Sequence, residues 1–290
     1  MTEDLGYGWQ GDMIALPAYL KRIGYDGDLA PTAGTLRALH RAHVMSIPFE
    51  NLEIMVGRPV ELSLEAVQAK LVDRPRGGYC FEHNRLFAGV LERLGYEITA
   101  LASRVMMGGQ VLRPCSHVLL HVRPPEPPRD EPGWLCDVGF GGGPLEPLRF
   151  REGEDAEQDG WGFRLRKEKG TPTTWGEGAA QWALYQRLPT GWVRRQTFAL
   201  NETFRIDFDV LNHYVSSNPR SPFTMRPFLQ RFLPGVHHVL DGTTLTTTLP
   251  DGTVETRALA PEELPEVLAG LFDIVLEAGD VPRLIEFLRR

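Results

Sequence analysis

The hydrophobic period of the chain changes once, just after Gly95, and that change limits the fold more than any other feature. Before it, apolar residues recur at three- and four-residue steps. Met13, Leu16, Tyr19, Leu20 and Ile23 mark a helix over 12–24 with Asp12 as its N-cap, and Pro31-Thr32 opens a second helix carrying Leu36, Leu39 and Val44. Ile47-Pro48-Phe49-Glu50-Asn51-Leu52 breaks that helix, because proline disfavours helix at the residue before it. Ser63 starts a third, ending before Pro75. After Gly95, residues 97–107 favour strand, Gly108-Gly109 makes a turn, and Ser116 to Val122 alternates, with Val118, Leu120 and Val122 on one face and His117, Leu119 and His121 on the other. A Pro-rich link, Pro124 to Gly133, leads back to Trp134–Phe140, which most simply pairs antiparallel with that strand. Phe163–Arg166, Trp182–Arg187 and Val193–Leu200 add strand-like pieces, while Arg151–Gly160 and Gly170–Gly178 read as exposed loops. Residues 97–200 therefore predict a β-barrel or strongly curved sheet. The last third is mixed: a short helix from Phe204 to His213, a hairpin of Thr243–Thr248 and Thr253–Ala258 around Pro250-Asp251-Gly252, and a terminal helix after Pro261 running through Leu264, Val267, Leu268, Leu271 and Val275.

The helical part ends in its most informative stretch, Arg76-Gly77-Gly78-Tyr79-Cys80-Phe81-Glu82-His83-Asn84. Two glycines run into a cysteine, and from the cysteine Phe81, Phe87, Val90, Leu91 and Leu94 keep helical spacing until Gly95 closes the run. Cys80 thus falls on the first turn of a helix, where unpaired N–H groups and the positive end of the macrodipole favour a thiolate. A thiol nucleophile needs a base, and the base needs an acceptor that fixes its tautomer. His117 and Asp137, on neighbouring predicted strands, can supply both, since facing side chains of paired strands stand within about 5 Å.

Each of these residues has an ordinary structural reading: a lone helical cysteine is usually a small buried apolar group, His117 can bond a neighbouring strand, and Asp137 can cap a turn. The Gly-Gly-x-Cys helix start and the Asp-x-Gly-x-Gly strand end favour the chemical reading. A zinc site from Cys80, His83, Cys115, His117 and Cys136 is the metal alternative. It has no CxxC pair, Pro114 disturbs the alignment of Cys115 with His117, and Glu82 and Asn84 beside His83 suggest an ordinary polar helix, so no metal is expected. The glycines after Asp137 (Gly139, Gly141, Gly142, Gly143) lack the Lys-Ser/Thr ending of a phosphate loop, though their N–H groups can approach a pyrophosphate.

Composition excludes other classes. The 31 basic against 38 acidic residues argue against nucleic-acid binding. No apolar run approaches the roughly 18 residues that span a bilayer. Met1-Thr2-Glu3-Asp4 lacks the basic and apolar regions of a secretory signal, and three cysteines make no disulfide framework. A reducing cytoplasm is expected.

Arg76–Asn84 resembles the nucleophile motif of the arylamine N-acetyltransferases. Ile47–Leu52, Ser116-His117, Asp137-Val138-Gly139-Phe140-Gly141 and Ser221-Pro222-Phe223 resemble further segments of that family in the same order. The resemblance implies an α+β fold of helical bundle (1–96), β-barrel (97–200) and α/β lid (201–290) around a cysteine-protease-like core. It implies acetyl-CoA as donor, with arylamines, arylhydrazines or arylhydroxylamines as acceptors. Cys80 would be acetylated, with His117 as base and Asp137 as its orienting partner. Phe49 would line the acceptor pocket, Ser116, Phe140 and Gly141 would lie near the CoA, and Arg74 would pair with Glu50. Relatives that close polyketide macrolactams with the same triad supply an alternative function, and cysteine hydrolases of the protease or transglutaminase type a further one. The physiological acceptor, the acyl-chain preference, the oligomeric state and the role of residues 151–180 stay open.

Overall fold

A computed structural model describes residues 6–109, 111–125, 131–173 and 176–289, with side chains omitted for 171–177. The acidic start Met1–Asp4, the centre of the Pro-rich link (126–130) and residues 174–175 lie outside the described residues. The chain is an α+β protein whose first third is helical: α1 (Leu16–Ile23), α2 (Ala33–Ser46), α3 (Leu52–Met55), α4 (Leu64–Leu71) and α5 (Cys80–Leu94). Thr32 and Ser63 cap α2 and α4 by accepting from the N–H groups three residues on. Asp12 does not cap α1: a 3-10 turn over Gly11–Met13 comes first, because its backbone follows the side chain of Glu92, which accepts from the Trp9 and Gly11 N–H groups.

Helix α5 is buried at every position from Cys80 to Leu91, including Glu82, His83, Asn84 and Arg85. The expected polar face at His83 is thus a core face, and its polar groups find partners inside. His83 Nε2–H donates to the Pro48 and Gly78 carbonyls, both at 3.1 Å, and its Nδ1 accepts from His43 Nε2–H at 2.9 Å. Burial pushes the His83 ring down to about 4 despite those two carbonyls, so it stays neutral.

Among the described residues, eight strands form one antiparallel sheet in the order β4-β3-β2-β1-β8-β7-β6-β5. These are β1 (Glu97–Val105), β2 (Cys115–Arg123), β3 (Trp134–Cys136), β4 (Leu148–Arg149), β5 (Asp155–Gln158), β6 (Trp161–Thr173), β7 (Gly176–Leu188) and β8 (Gly191–Thr203). The sheet curls until its ends almost meet. Gln158 of β5 accepts from the Glu146 N–H and donates to the Glu146 carbonyl, just ahead of β4, both at 3.0 Å. The two faces of β2 serve two cores: Val118, Leu120 and Val122 pack with α5, and Leu119 packs inside the barrel with Leu135, Phe163 and Phe198.

The segments expected as exposed loops, 151–160 and 170–178, instead contribute β5 and the far ends of β6 and β7. Their charges sit on the outer face: Arg164 pairs with Asp155 and Arg187 with Glu157, while Phe163 and Leu165 point into the barrel. Cross-strand ion pairs of this kind suit an exposed sheet face as well as they suit a loop.

The last third begins with α6 (Arg205–Ser217), longer than expected, and continues with a four-stranded meander: β9 (Phe228–Leu233), β10 (Val236–Asp241), β11 (Thr244–Thr248) and β12 (Val254–Ala258). The predicted hairpin is the β11–β12 pair, in register from Thr244↔Ala258 to Thr248↔Val254. The terminal helix stops earlier than predicted: α7 (Leu264–Phe272) ends where Asp273 turns left-handed at φ 56°, and the chain folds back into α8 (Asp280–Leu288). Among the described residues, no helix is long and apolar enough to cross a membrane.

One predicted ion pair is wrong. Glu50 pairs not with Arg74 but with Arg76, whose Nε lies 3.0 Å from Oε1; Arg74 points outward to Glu277 at 3.0 Å. Both arginines flank Pro75. Gly77 packs so closely on the Pro48 segment that a Cβ there would stand 1.9 Å from the Pro48 carbonyl oxygen, and Arg76 beside it is buried.

Candidate active site

Cys80 is the first residue of α5, and its position rests on the strands on either side of the turn that precedes it. Phe49 is extended and bridges two of them: its N–H and C=O exchange 3.0 Å bonds with Gln230 of β9, and Glu50 N–H donates to the Gly78 carbonyl at 2.7 Å. The nucleophile turn is thus clamped to the C-terminal meander. Asn84, one turn into the helix, donates to the Cys80 carbonyl (3.0 Å) and to Val118 of β2 (2.8 Å), tying the helix to the strand that carries His117.

The sheet brings the other two candidates to the thiol. In β2, Cys115 opposes Arg104 and His117 opposes Ser103, which leaves Ser116 as the extra residue of a bulge. A bulge re-aims its strand; here Cys80 Sγ lies 3.9 Å from the Ser116 carbonyl. Asp137, expected on the paired strand, stands one residue past the end of β3. His117 Nε2–H donates to its carboxylate at 2.9 and 3.1 Å, which turns the other ring nitrogen toward Cys80. Burial works against a charged His117 ring. The Asp137 charge and hydrogen bond, with a hydrogen bond to Cys80 and its charge, nevertheless push the ring up to about 10. Gly139 lets this loop reach the helix: a Cβ there would sit 2.7 Å from Cys80 Cα.

Two supporting residues escaped the sequence reading. Gln196 of β8 donates to Asp137 Oδ2 at 2.7 Å and accepts from Ser103 Oγ at 2.7 Å. His40 of α2 accepts the Asp137 N–H at Nε2 (3.1 Å) and donates from Nδ1 to the Leu145 carbonyl (3.0 Å). Burial holds the His40 ring down at about 4, so it stays neutral and can accept that bond. The one available signal was weak: His40 follows Leu39 on the buried face of α2, which also carries Leu36 and His43.

The thiol opens on a cavity of about 620 Å3, in the range that holds a small organic molecule. Phe49 lines it together with Phe223 and Phe228, the three ring centroids lying 5.9 to 6.1 Å apart. Ser116, His117 and Phe140 also line it, with the Phe140 ring edge-on to His117 at 5.2 Å. Gly141 lies behind this wall, packed on the side chain of Gln230, which donates to the Phe140 carbonyl at 3.1 Å. Cys136 is buried on the far side of its strand in the helical core, and among the described residues no group of three His, Cys, Asp or Glu side chains converges as a metal-ligand set.

The N-acetyltransferase family model matches residues 32–281. The chain belongs to the arylamine N-acetyltransferase family. It is 40% identical to the arylamine N-acetyltransferase of Mycolicibacterium smegmatis over 211 residues, 72% of this chain and 73% of that one. The crystal structure of the Nocardia farcinica arylamine N-acetyltransferase superimposes with a TM-score of 0.92 at 48% identity, covering all of both chains. The Mycobacterium marinum family member solved in complex with CoA gives 0.82 at 32% identity, over 94% of this chain and 99% of that one. Membership makes the chain an acyltransferase.

The His117–Asp137 pair has a pH signature that needs no substrate. The folded-state pKa of His117 is raised above its ordinary 6.5, so its stabilisation is complete below pH 6.5 and is lost as the pH rises through about 10. The unfolding midpoint of the wild-type chain should therefore exceed that of His117→Gln most below pH 6.5, and the gap should close between pH 6.5 and 10. A gap that stays constant across that window would mean that the ring carries no extra proton in the fold.

Proposed function

We propose that this family member acetylates aromatic amines and hydrazines, and arylhydroxylamines on oxygen, through a thioester on Cys80 with acetyl-CoA as donor. One observation carries the reading: a helix-initiating thiol lies within hydrogen-bond reach of an imidazole that is itself bonded to a carboxylate, at the wall of an aromatic-lined cavity. Cys80 and His117 act as a thiolate–imidazolium pair. The thiolate attacks the acetyl carbonyl; the new C–S bond forms, the CoA C–S bond breaks, and the leaving CoA sulfur takes the His117 proton. The amine then attacks the acetyl-Cys80 carbonyl, gives a proton to the now neutral His117, and expels the Cys80 thiolate, restoring the starting pair. Exchange of one thioester for another is nearly isoenergetic, which suits a thiol nucleophile. Donor and acceptor use one cavity in turn, so the kinetics are ping-pong.

The complex of the M. marinum family member with CoA supports CoA as carrier. In this scheme Phe49 contacts the acceptor ring, Ser116 and Phe140 flank the donor, and Gly141 shapes the loop behind Phe140. The three parts divide the labour: residues 1–96 present the nucleophile, 97–200 hold its base and carboxylate, and 201–290 close the acceptor side with Phe223 and Phe228.

The test is intact-mass spectrometry after mixing with acetyl-CoA. A single acetyl group should appear on the peptide that contains Cys80 and disappear when an aniline or hydrazine is added. Acetylation-free Cys80, or an adduct that the amine does not discharge, would sink the mechanism.

A further inference from the structure

Arg195 lies at the cavity wall and has no part in the mechanism above. It sits in β8 where Leu184 opposes Gln196 and Tyr185 opposes Arg194, so it is the extra residue of a second bulge. The neighbouring Gln196 turns to Asp137, and Arg195 reaches the cavity. Its guanidinium carbon lies 5.4 Å from the centre of the Phe140 ring, which itself packs against His117. The charged group is therefore one ring away from the reacting atoms.

No acidic partner serves it. Three other buried or half-buried arginines have carboxylates: Arg76 has Glu50 and Glu53, Arg58 has Glu53 and Asp280, and Arg194 next door has Glu168. Among the described residues no carboxylate pairs with Arg195, and its Nε is buried without an acceptor. Burial alone moves its pKa, down to about 10, with no acidic group opposing. The titratable neighbour is His237, whose ring Nε2–H is engaged with Gln230 Oε1 and which burial, with Arg195 and His238 adding to it, holds neutral at about 3. A half-buried guanidinium with a buried Nε and no carboxylate is costly unless something pairs with it, and its fork of N–H donors matches a carboxylate.

We infer that Arg195 is a specificity-determining residue that binds a carboxylate carried by the substrate, on the aromatic acceptor or at the far end of the transferred acyl group. The inference rests on the acyl-transfer reading of the Cys80 cavity. The competing role, a cation–π prop under Phe140, affects neutral and anionic substrates alike.

The experiment measures kcat/KM in matched pairs for wild type, Arg195→Met and Arg195→Lys. The acceptor pair is 4-aminobenzoate and its methyl ester with acetyl-CoA; the donor pair is malonyl-CoA and butanoyl-CoA with aniline. In one of these pairs, the wild type should favour the carboxylate by about 10- to 100-fold. Arg195→Met should abolish the preference, and Arg195→Lys should keep part of it, since an ammonium lacks the fork. The pair that responds identifies the source of the carboxylate. An equal loss on both members of each pair would assign Arg195 to propping Phe140 and overturn the inference. So would an effect confined to acetyl-CoA against acetylpantetheine, which would mean phosphate binding.

A measurement on the unaltered chain covers the case in which the variants do not fold. Benzoate should protect Cys80 from iodoacetamide at about tenfold lower concentration than benzamide, and equal protection would overturn the inference. Protection is read without turnover. If Cys80 accepts no acetyl group, the mechanism fails while the protection ratio still reports on Arg195.

Discussion

Asp137→Asn is expected to lower the turnover of acetyl transfer by about 10 000-fold while leaving the fold intact. The size follows from where hydrogens must sit. Asp137 accepts from His117 Nε2–H at 2.9 Å and from Gln196 Nε2–H at 2.7 Å, so both of its working contacts need an acceptor. Both of the shorter contacts fall on Oδ2, which an amide oxygen can also serve, but the amide nitrogen then takes the Oδ1 place, 3.1 Å from His117 Nε2. Its N–H favours the tautomer with no proton on that nitrogen, so the proton moves to the nitrogen that faces Cys80. The ring is then in the wrong tautomer to act as base for the thiol.

The charge matters as well as the geometry. The negative charge of Asp137 is the largest influence raising the His117 pKa, and burial opposes it. Without the carboxylate, burial prevails, and the ring should be neutral at pH 7 instead of holding its proton to about pH 10. Two measurements check this: single-turnover acetylation of Cys80, and NMR titration of the His117 ring. A variant within tenfold of wild-type turnover, with an unchanged His117 titration, would remove Asp137 from the proposed mechanism.

The catalytic line was legible in the sequence because each member sits at a place with a strong local signature. Cys80 starts a helix after two glycines, His117 lies on a strand whose alternation is plain, and Asp137 ends the next strand before a glycine run. These signals depend on residues close together in the chain. What supports the line depends on contacts between distant segments. The His40–Asp137 bond spans 97 residues and the Gln196–Asp137 bond spans 59. No spacing rule finds them.

Only the far ends of β6 and β7 fall in a stretch that reads as loop, because Gly170–Gly178 carries the Gly, Thr and Pro that also mark loops. The inward Phe163, Leu165 and Leu184 mark the parts that read as strand. Strands β9 and β10 did have a signal, two short runs containing apolar residues on either side of Pro234-Gly235, with Gly235 in the left-handed region at φ 74°. The choice between Arg74 and Arg76 was beyond any pattern. Two arginines flank one proline, and only the packing of Gly77 and Gly78 against Pro48 and Phe49 decides which is buried.

That choice has an energetic consequence that Arg76→Met should expose. Arg76 is one of the largest fully buried side chains, and it serves two carboxylates: Glu50 at 3.0 Å from Nε and Glu53 at 2.8 Å from Nη1. Burial opposes its charge, but Glu50 and Glu53 outweigh burial and raise its pKa. Glu50 is wholly buried. With Arg76 gone it keeps the Leu52 N–H at 2.6 Å and Lys70 at 3.9 Å, while Lys70 is already committed to Glu82 at 2.7 Å. Removing one partner of a buried pair leaves an uncompensated charge, at a cost of about 3–5 kcal/mol. For a chain of this size the unfolding midpoint should fall by on the order of 10 °C.

The decisive comparison is the double variant Glu50→Met with Arg76→Met. Replacing both members of a buried pair by apolar groups is close to neutral, so the double variant should be more stable than Arg76→Met alone, although it carries one more substitution. A double variant less stable than either single one would show that the pair adds net stability beyond its mutual compensation. Activity should follow the same order. Glu50 N–H holds the Gly78 carbonyl, and Gly78 lies two residues before the nucleophile, so strain at the buried pair is transmitted to the position of Cys80.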